Sequence, residues 1–314
     1  MKQLPIIDFA GYLHGDKAAQ EAVVHQIYDA CTKIGFFYLT GHGVPQSVID
    51  DAFAASREFF AIPDNRKTEV RVDVNFRGHK PLEMKAGLDG NRRAHAAEIF
   101  TIGMDVPAGD PLAGQPGYGP NHWPGAMPSL KPRLEAYFGA VRSLSEKILE
   151  AMAKSLDIDP QFFKPKYAKP TSSCVMLHYP SLPADAPRGT ESGDAHTDWG
   201  AVTVLYQDNV GGLQAKNRDG QWVEGTPVPG AFVVNIGDML MRWSNDRFIS
   251  TPHRVINRSG KDRYSIATFL NPQSDAIVDP CELGVTEEQS AHPPVSAGKY
   301  IAARWADYYG RQSA

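Results

Sequence analysis

The stretch "HTDWGAVTVLYQ", His196 to Gln207, sets an imidazole and a carboxylate two residues apart, just before a run with strand character. On an extended strand, residues i and i+2 face the same way. His196 and Asp198 can therefore aim a ring nitrogen and a carboxylate oxygen at one point, which is the beginning of a metal site. Two ligands hold an ion poorly. The best third ligand is His253 in "STPHRVIN", at the head of another β-like run, and the intervening hairpins can bring the two strand ends together.

Two imidazoles and one carboxylate on one side of an ion leave open positions opposite, as in non-heme Fe(II) oxygenases. Zinc is the chemical alternative, because catalytic zinc also takes two His and a carboxylate. An isolated H-x-D also fits a surface turn in which Asp caps a backbone amide. His42, His79, His95, His122 and His292 read as loop or surface residues. Downstream of His253, "RYS" puts Arg263 and Ser265 on one strand face. A guanidinium fork beside a hydroxyl suits a carboxylate. A dicarboxylate such as 2-oxoglutarate could chelate iron through its keto-acid end and seat its far carboxylate there. The competing reading of Arg263 is a salt bridge on an exposed strand.

These residues need elements to hold them. Helical spacing of Val23, Val24, Ile27, Cys31 and Ile34 predicts a helix from about residue 19 to 34, stopped by Gly35. "FFYLTGHGV" reads as a buried strand entering a turn, and a second helix follows from Pro45 to Phe60. The Gly/Pro-dense stretch from Gly103 to Pro124 reads as an irregular crossing. A long helix is expected from about residue 128 to 156 on the stripe Leu134, Tyr137, Phe138, Val141, Leu144, Ile148 and Met152. Beyond Pro170, "SSCVMLHY", "VTVLY", "AFVVNIGDMLMRW", "HRVIN" and "RYSIATFL" are short β-rich runs separated by turns, the texture of an antiparallel sandwich or barrel. A last helix is expected from about residue 297 to 309.

The chain of 314 residues has 42% hydrophobic and 22% charged residues and a formal charge of −4. That balance is globular and offers no basis for a nucleic-acid or membrane-surface partner. No apolar run approaches the roughly 20 residues that span a bilayer. Cys31, Cys174 and Cys281 form no C-x-x-C pair, which favours a reducing cytoplasm. Oligomeric state is left open.

With these motifs in order, the sequence resembles the non-heme Fe(II), 2-oxoglutarate-dependent dioxygenase superfamily, in its isopenicillin N synthase-like branch. "LPIIDF", "GFFYLTGHGV", "NHWP", "LHYP", "HTDWGAVTVLYQDNVGGLQ", "VVNIGDMLMRWSND", "STPHRVIN" and "RYSIATFLNP" carry the resemblance over nearly the whole chain. It implies an α+β fold with a mainly β core, a double-stranded β-helix or jelly roll flanked by helices. Residues 1–165 would be a mostly helical region packed on a catalytic core at 166–314, the two forming one unit. It implies Fe(II) held by His196, Asp198 and His253, and 2-oxoglutarate held by Arg263 and Ser265 with help from Tyr179. Where plant members often carry Asn two residues before that tyrosine, this chain has Leu177, so one co-substrate contact is absent or replaced. The implied reaction consumes O2 and 2-oxoglutarate, releases succinate and CO2, and hydroxylates, desaturates or cyclises a small organic molecule. Trp199, Phe269, Arg77 and Asn75 are the candidate substrate contacts. Three alternatives accompany this reading: an iron oxidase that does without 2-oxoglutarate, an ethylene-forming enzyme that degrades it, and a metal-free binding scaffold.

Overall fold

The strand-forming runs beyond Pro170 build a double-stranded β-helix, and strands from the N-terminal half complete it. The structure, a computed structural model, describes residues 3–82, 84–86, 92–94, 97–107, 109–115, 117–182 and 192–310. His95 lies outside the described residues. In chain order the strands are β1 (Ile6–Asp8), β2 (Phe36–Thr40), β3 (Gly78–Lys80), β4 (Met84–Ala86), β5 (Arg92–Ala94), β6 (Glu98–Gly103), β7 (Ser173–Tyr179) and β8 (Gly193–His196). They continue with β9 (Val202–Gln207), β10 (Leu213–Lys216), β11 (Trp222–Glu224), β12 (Phe232–Ile236), β13 (His253–Val255), β14 (Arg263–Leu270), β15 (Ile277–Val278) and β16 (Val295–Ser296). The helices are α1 (Ala10–His14), α2 (Lys17–Lys33), α3 (Gln46–Phe60), α4 (Asp64–Lys67), α5 (Leu130–Ser155), α6 (Asp238–Trp243) and α7 (Ala297–Gly310).

The larger sheet has eight strands in the order β1-β2-β12-β9-β14-β7-β6-β3, and the smaller has four, β11-β10-β13-β8. Four strands of the larger sheet come from the N-terminal half, so that half is less purely helical than its sequence suggests. Strand register sorts the side chains into two faces, because directly paired residues point the same way. Cys174, Met176, Val204, Phe232 and Ile266 face the helices and join α2, α3 and α5 in one core. Each such buried side chain contributes roughly 1.5–3 kcal/mol. The opposite face carries Phe36, Tyr38, Tyr179 and Val233, packed with Leu213, Ala215 and Val255 of the smaller sheet. That interior also carries Thr203, Asn235 and Ser265.

Local signals account for the helix ends. Asp16 caps α2 by accepting from the Ala19 amide, and Pro45 immediately precedes α3. One expected strand is only partly a strand. "AFVVNIGDMLMRW" is a strand only as far as Ile236, and its second half is α6. The junction at Gly237 requires glycine, because a Cβ there would stand 2.2 Å from the Gly200 carbonyl oxygen. Among the described residues no helix is long and apolar enough to cross a membrane.

Candidate metal centre and anion site

His196, the last residue of β8, pairs across the smaller sheet with His253, the first of β13. Asp198 is not on the same strand as His196. It lies in the turn leading to β9, where its carbonyl accepts from the Asp238 amide at 2.7 Å. The expected i, i+2 strand geometry is therefore replaced by a turn that reaches the same end. Nε2 of His196 and Nε2 of His253 each lie 3.7 Å from Asp198 Oδ1. One ligand atom from each residue lies within 4.8 Å of the others, close enough for a single ion. Asp198 and His253 are buried, and His196 is exposed, so the group opens to one side.

The remaining polar atoms of the three side chains are already occupied. His196 Nδ1 sits 2.7 Å from the Asp194 carbonyl and His253 Nδ1 3.2 Å from the Thr251 carbonyl. A carbonyl accepts only, so each Nδ1 carries the proton and each Nε2 keeps its lone pair. Asp198 Oδ2 accepts from Thr203 Oγ1 at 2.5 Å and from Asn235 Nδ2 at 2.8 Å, which leaves Oδ1 free to ligate. Burial pushes the His253 imidazole down to about 4, and it stands neutral as a ligand must. Burial pulls the Asp198 carboxyl upward, but the two imidazoles and its hydrogen bonds outweigh that and hold it below the usual carboxylate range. Three donors of mixed nitrogen and oxygen type, all on one side, suit ferrous iron.

Deeper in the same interior, Arg263 and Ser265 lie fully buried on β14, with Tyr179 paired opposite Arg263. Arg263 Nη1 donates to Ser265 Oγ at 3.1 Å and Nη2 to Gln207 Oε1 at 3.0 Å, while its buried Nε has no partner. The guanidinium carbon stands 4.9 Å from the centre of the Tyr179 ring. Among the described residues no carboxylate pairs with this buried cation, and its unused donor suits an anion. Leu177, two residues before Tyr179, offers it no hydrogen bond.

The other sequence candidates are dispersed. Phe269 is half-buried and pairs with Thr203, on the face that carries the Asp198 partners. Trp199 is half-buried and meets Trp305 of α7 edge-on. Arg77 is buried against Gly103. Asn75 packs near Gly119 of the Gly/Pro-rich crossing. His42 and His79 are buried rather than exposed: Gly230 and Val44 satisfy the first, and Glu98 binds the second. Thr203, Asn235 and Gln207 escaped the sequence reading. Their signal was a polar residue inside an otherwise apolar strand.

Comparison with known proteins agrees with this geometry. Residues 4–126 match the family described as non-haem dioxygenase in morphine synthesis N-terminal, and residues 171–272 match the 2OG-Fe(II) oxygenase superfamily. A 2-oxoglutarate-Fe(II) type oxidoreductase of Emericella nidulans is 36% identical, covering 99% of this chain and 91% of that protein. A homoarginine-6-hydroxylase of Glycine max is 33% identical over 89% of this chain and 88% of its own. A full-length Neurospora crassa protein crystallised with alpha-KG (2-oxoglutarate) and thymine superposes with a TM-score of 0.87 at 28% identity, covering 98% of this chain and 97% of that one.

Proposed function

Because this chain belongs to the 2OG-Fe(II) oxygenase superfamily and is an iron- and 2-oxoglutarate-dependent dioxygenase, we propose that His196, Asp198 and His253 are its iron ligands, and that Arg263 and Ser265, flanked by Tyr179, hold the far carboxylate of 2-oxoglutarate. Bound there, ferrous iron with 2-oxoglutarate supplies the activation of O2 that ends in succinate, CO2 and an oxidised small organic molecule. The protein contributes placement. Thr203 and Asn235 fix the rotamer of Asp198, and Gln207 fixes the fork of Arg263. Phe36, Val233, Leu213 and Val255 give the interior apolar walls. Residues 1–165 and 166–314 act as one catalytic unit. A cytoplasmic location fits three free cysteines, and neither a nucleic acid nor a membrane is needed as a partner.

The observation that carries this reading is that every polar atom of the three ligands except those facing one another is already bonded. Anaerobic titration with Fe(II) and 2-oxoglutarate tests it. A weak visible charge-transfer band is expected in the wild type and none in Asp198→Ala. A variant that retains stoichiometric iron and the band would refute the assignment.

A further inference from the structure

The larger sheet carries a cross-strand row that begins at the proposed metal centre. Asn235 pairs with Thr203, Thr203 with Phe269, Phe269 with Ser173, and Ser173 with Gly103. All five residues face the interior that holds Asp198. Three inter-strand steps of about 4.8 Å put Gly103 roughly 14 Å from Thr203. Gly103 has no side chain, and another group fills the space. A Cβ built there would lie 2.1 Å from Cζ and 2.0 Å from Nη2 of Arg77. The guanidinium of Arg77 thus stands at the far end of the row.

Arg77 is almost wholly buried, yet no carboxylate of the described residues is hydrogen-bonded to its guanidinium. It donates from Nη2 to the Gly117 carbonyl at 2.8 Å, and its buried Nε has no partner. Asp73 and Asp105 lie close enough to act on its charge, but their hydrogen bonds go to groups other than the guanidinium. Asp73 Oδ1 accepts from the Asn75 and Arg77 amides, Asp73 Oδ2 meets His122, and Asp105 Oδ1 accepts from the Asn121 amide. A buried donor without an acceptor is costly, and a water, an ion or a ligand group can supply that acceptor.

Aromatic rings join the same two ends. Phe76, which precedes Arg77, sits at a φ of 60°, a strained conformation for a bulky residue. It stacks on Trp305 at 3.8 Å and 8°, and Trp305 meets Trp199, the neighbour of Asp198, at 4.9 Å. Taking the proposed metal centre as the premise on which this rests, we infer that the substrate is a small flat carboxylate. Its anionic end sits on Arg77 and its ring lies along Ser173 and Phe269 toward the metal. The distance between the ends accommodates one ring with a short side chain.

The test uses wild-type protein loaded anaerobically with Fe(II) and 2-oxoglutarate. Absence of the chelate band before any probe is added would defeat the metal-site proposal itself, whatever the probes do. With the band present, benzoate and benzamide, then cinnamate and cinnamamide, are titrated and followed by calorimetry and by change in the band. The acids are expected to bind at least about tenfold tighter than the amides, the worth of a charge-assisted hydrogen bond. Arg77→Gln is expected to bring that ratio close to one. Equal binding of acid and amide, no binding by either acid, or an unchanged ratio in Arg77→Gln would overturn the inference. If that variant does not fold, the wild-type ratio decides alone.

Discussion

The two oxygens of Asp198 have separate partners. Oδ2 is taken by Thr203 and Asn235, and Oδ1 faces both imidazoles. On the proposed reading, the pair on Oδ2 aims the ligand. Such supporting hydrogen bonds are worth about 10- to 100-fold in metal affinity. Asn235→Ala should weaken Fe(II) binding by that factor, and Thr203→Val similarly, as measured by anaerobic titration with circular dichroism held constant. Unchanged affinity in both would mean that Asp198 is oriented by its backbone alone. The proposed ligands and the Arg263–Ser265 pair were legible in the sequence through the family motifs around them, since H-x-D alone also fits a surface turn. Thr203 and Asn235 were not, because their importance comes from register: they sit on paired strands, facing Asp198. Spacing along the chain carries no record of that pairing.

Among the elements, a buried polar cluster ties three strands to a helix. Glu98 of β6 accepts from Lys67 of α4 at 2.6 Å and lies 2.7 Å from His79 of β3 and 3.4 Å from His178 of β7. Lys67 is itself buried, so Glu98→Gln leaves an ammonium short of its counter-charge and should cost about 3 kcal/mol in denaturant unfolding. A loss under about 0.5 kcal/mol would show that Asp64, 3.0 Å from Lys67, suffices. The pH dependence follows from opposite shifts. Burial raises the Glu98 carboxyl, but its three partners outweigh that and hold it well below its ordinary 4.5, so its support is present above that value and fades as pH falls. Burial lowers His178, but Glu98 and Asp262 outweigh that and raise it above 6.5. Its support is complete below 6.5 and is lost as pH climbs through the raised value. The stability gap between wild type and His178→Gln should therefore be larger near pH ~5.5 than near pH ~8.5; a gap that widens with pH would contradict the assignment. The sequence hid this cluster. β3 is too short for strand periodicity, and a His in "FRGHK" reads as a loop until the sheet covers it. The long helices were legible because an apolar stripe over many turns outweighs local noise, whereas the need for glycine at 237 is set by Gly200, a contact that spacing along the chain does not show.

At the scale of the whole molecule, α7 reaches back to the centre from the end of the chain. Asp238 is its anchor: the carboxylate accepts from Arg304 at 3.0 Å and Tyr300 at 3.3 Å, and also from Thr197, which lies between His196 and Asp198. The Asp238 amide in turn donates to the Asp198 carbonyl. Trp305 meanwhile fixes Trp199 and Phe76. None of the three proposed iron ligands lies on α7, and both sheets are complete without it. Ending the chain after Ser296 should therefore leave folding and Fe(II) binding largely intact while removing the walls that position substrate. Misplacement of about 1 Å at a reacting centre costs roughly 100-fold. Substrate-stimulated succinate release is thus expected to fall about 10- to 100-fold, with Fe(II) affinity changed less than about threefold. Trp305→Ala, which keeps the Asp238 contacts, should lose part of the same rate. Full turnover in the truncated protein would make α7 a cover over the fold rather than a wall of the site. Loss of iron would instead show that Asp238, deprived of Arg304 and Tyr300, no longer holds the Asp198 turn.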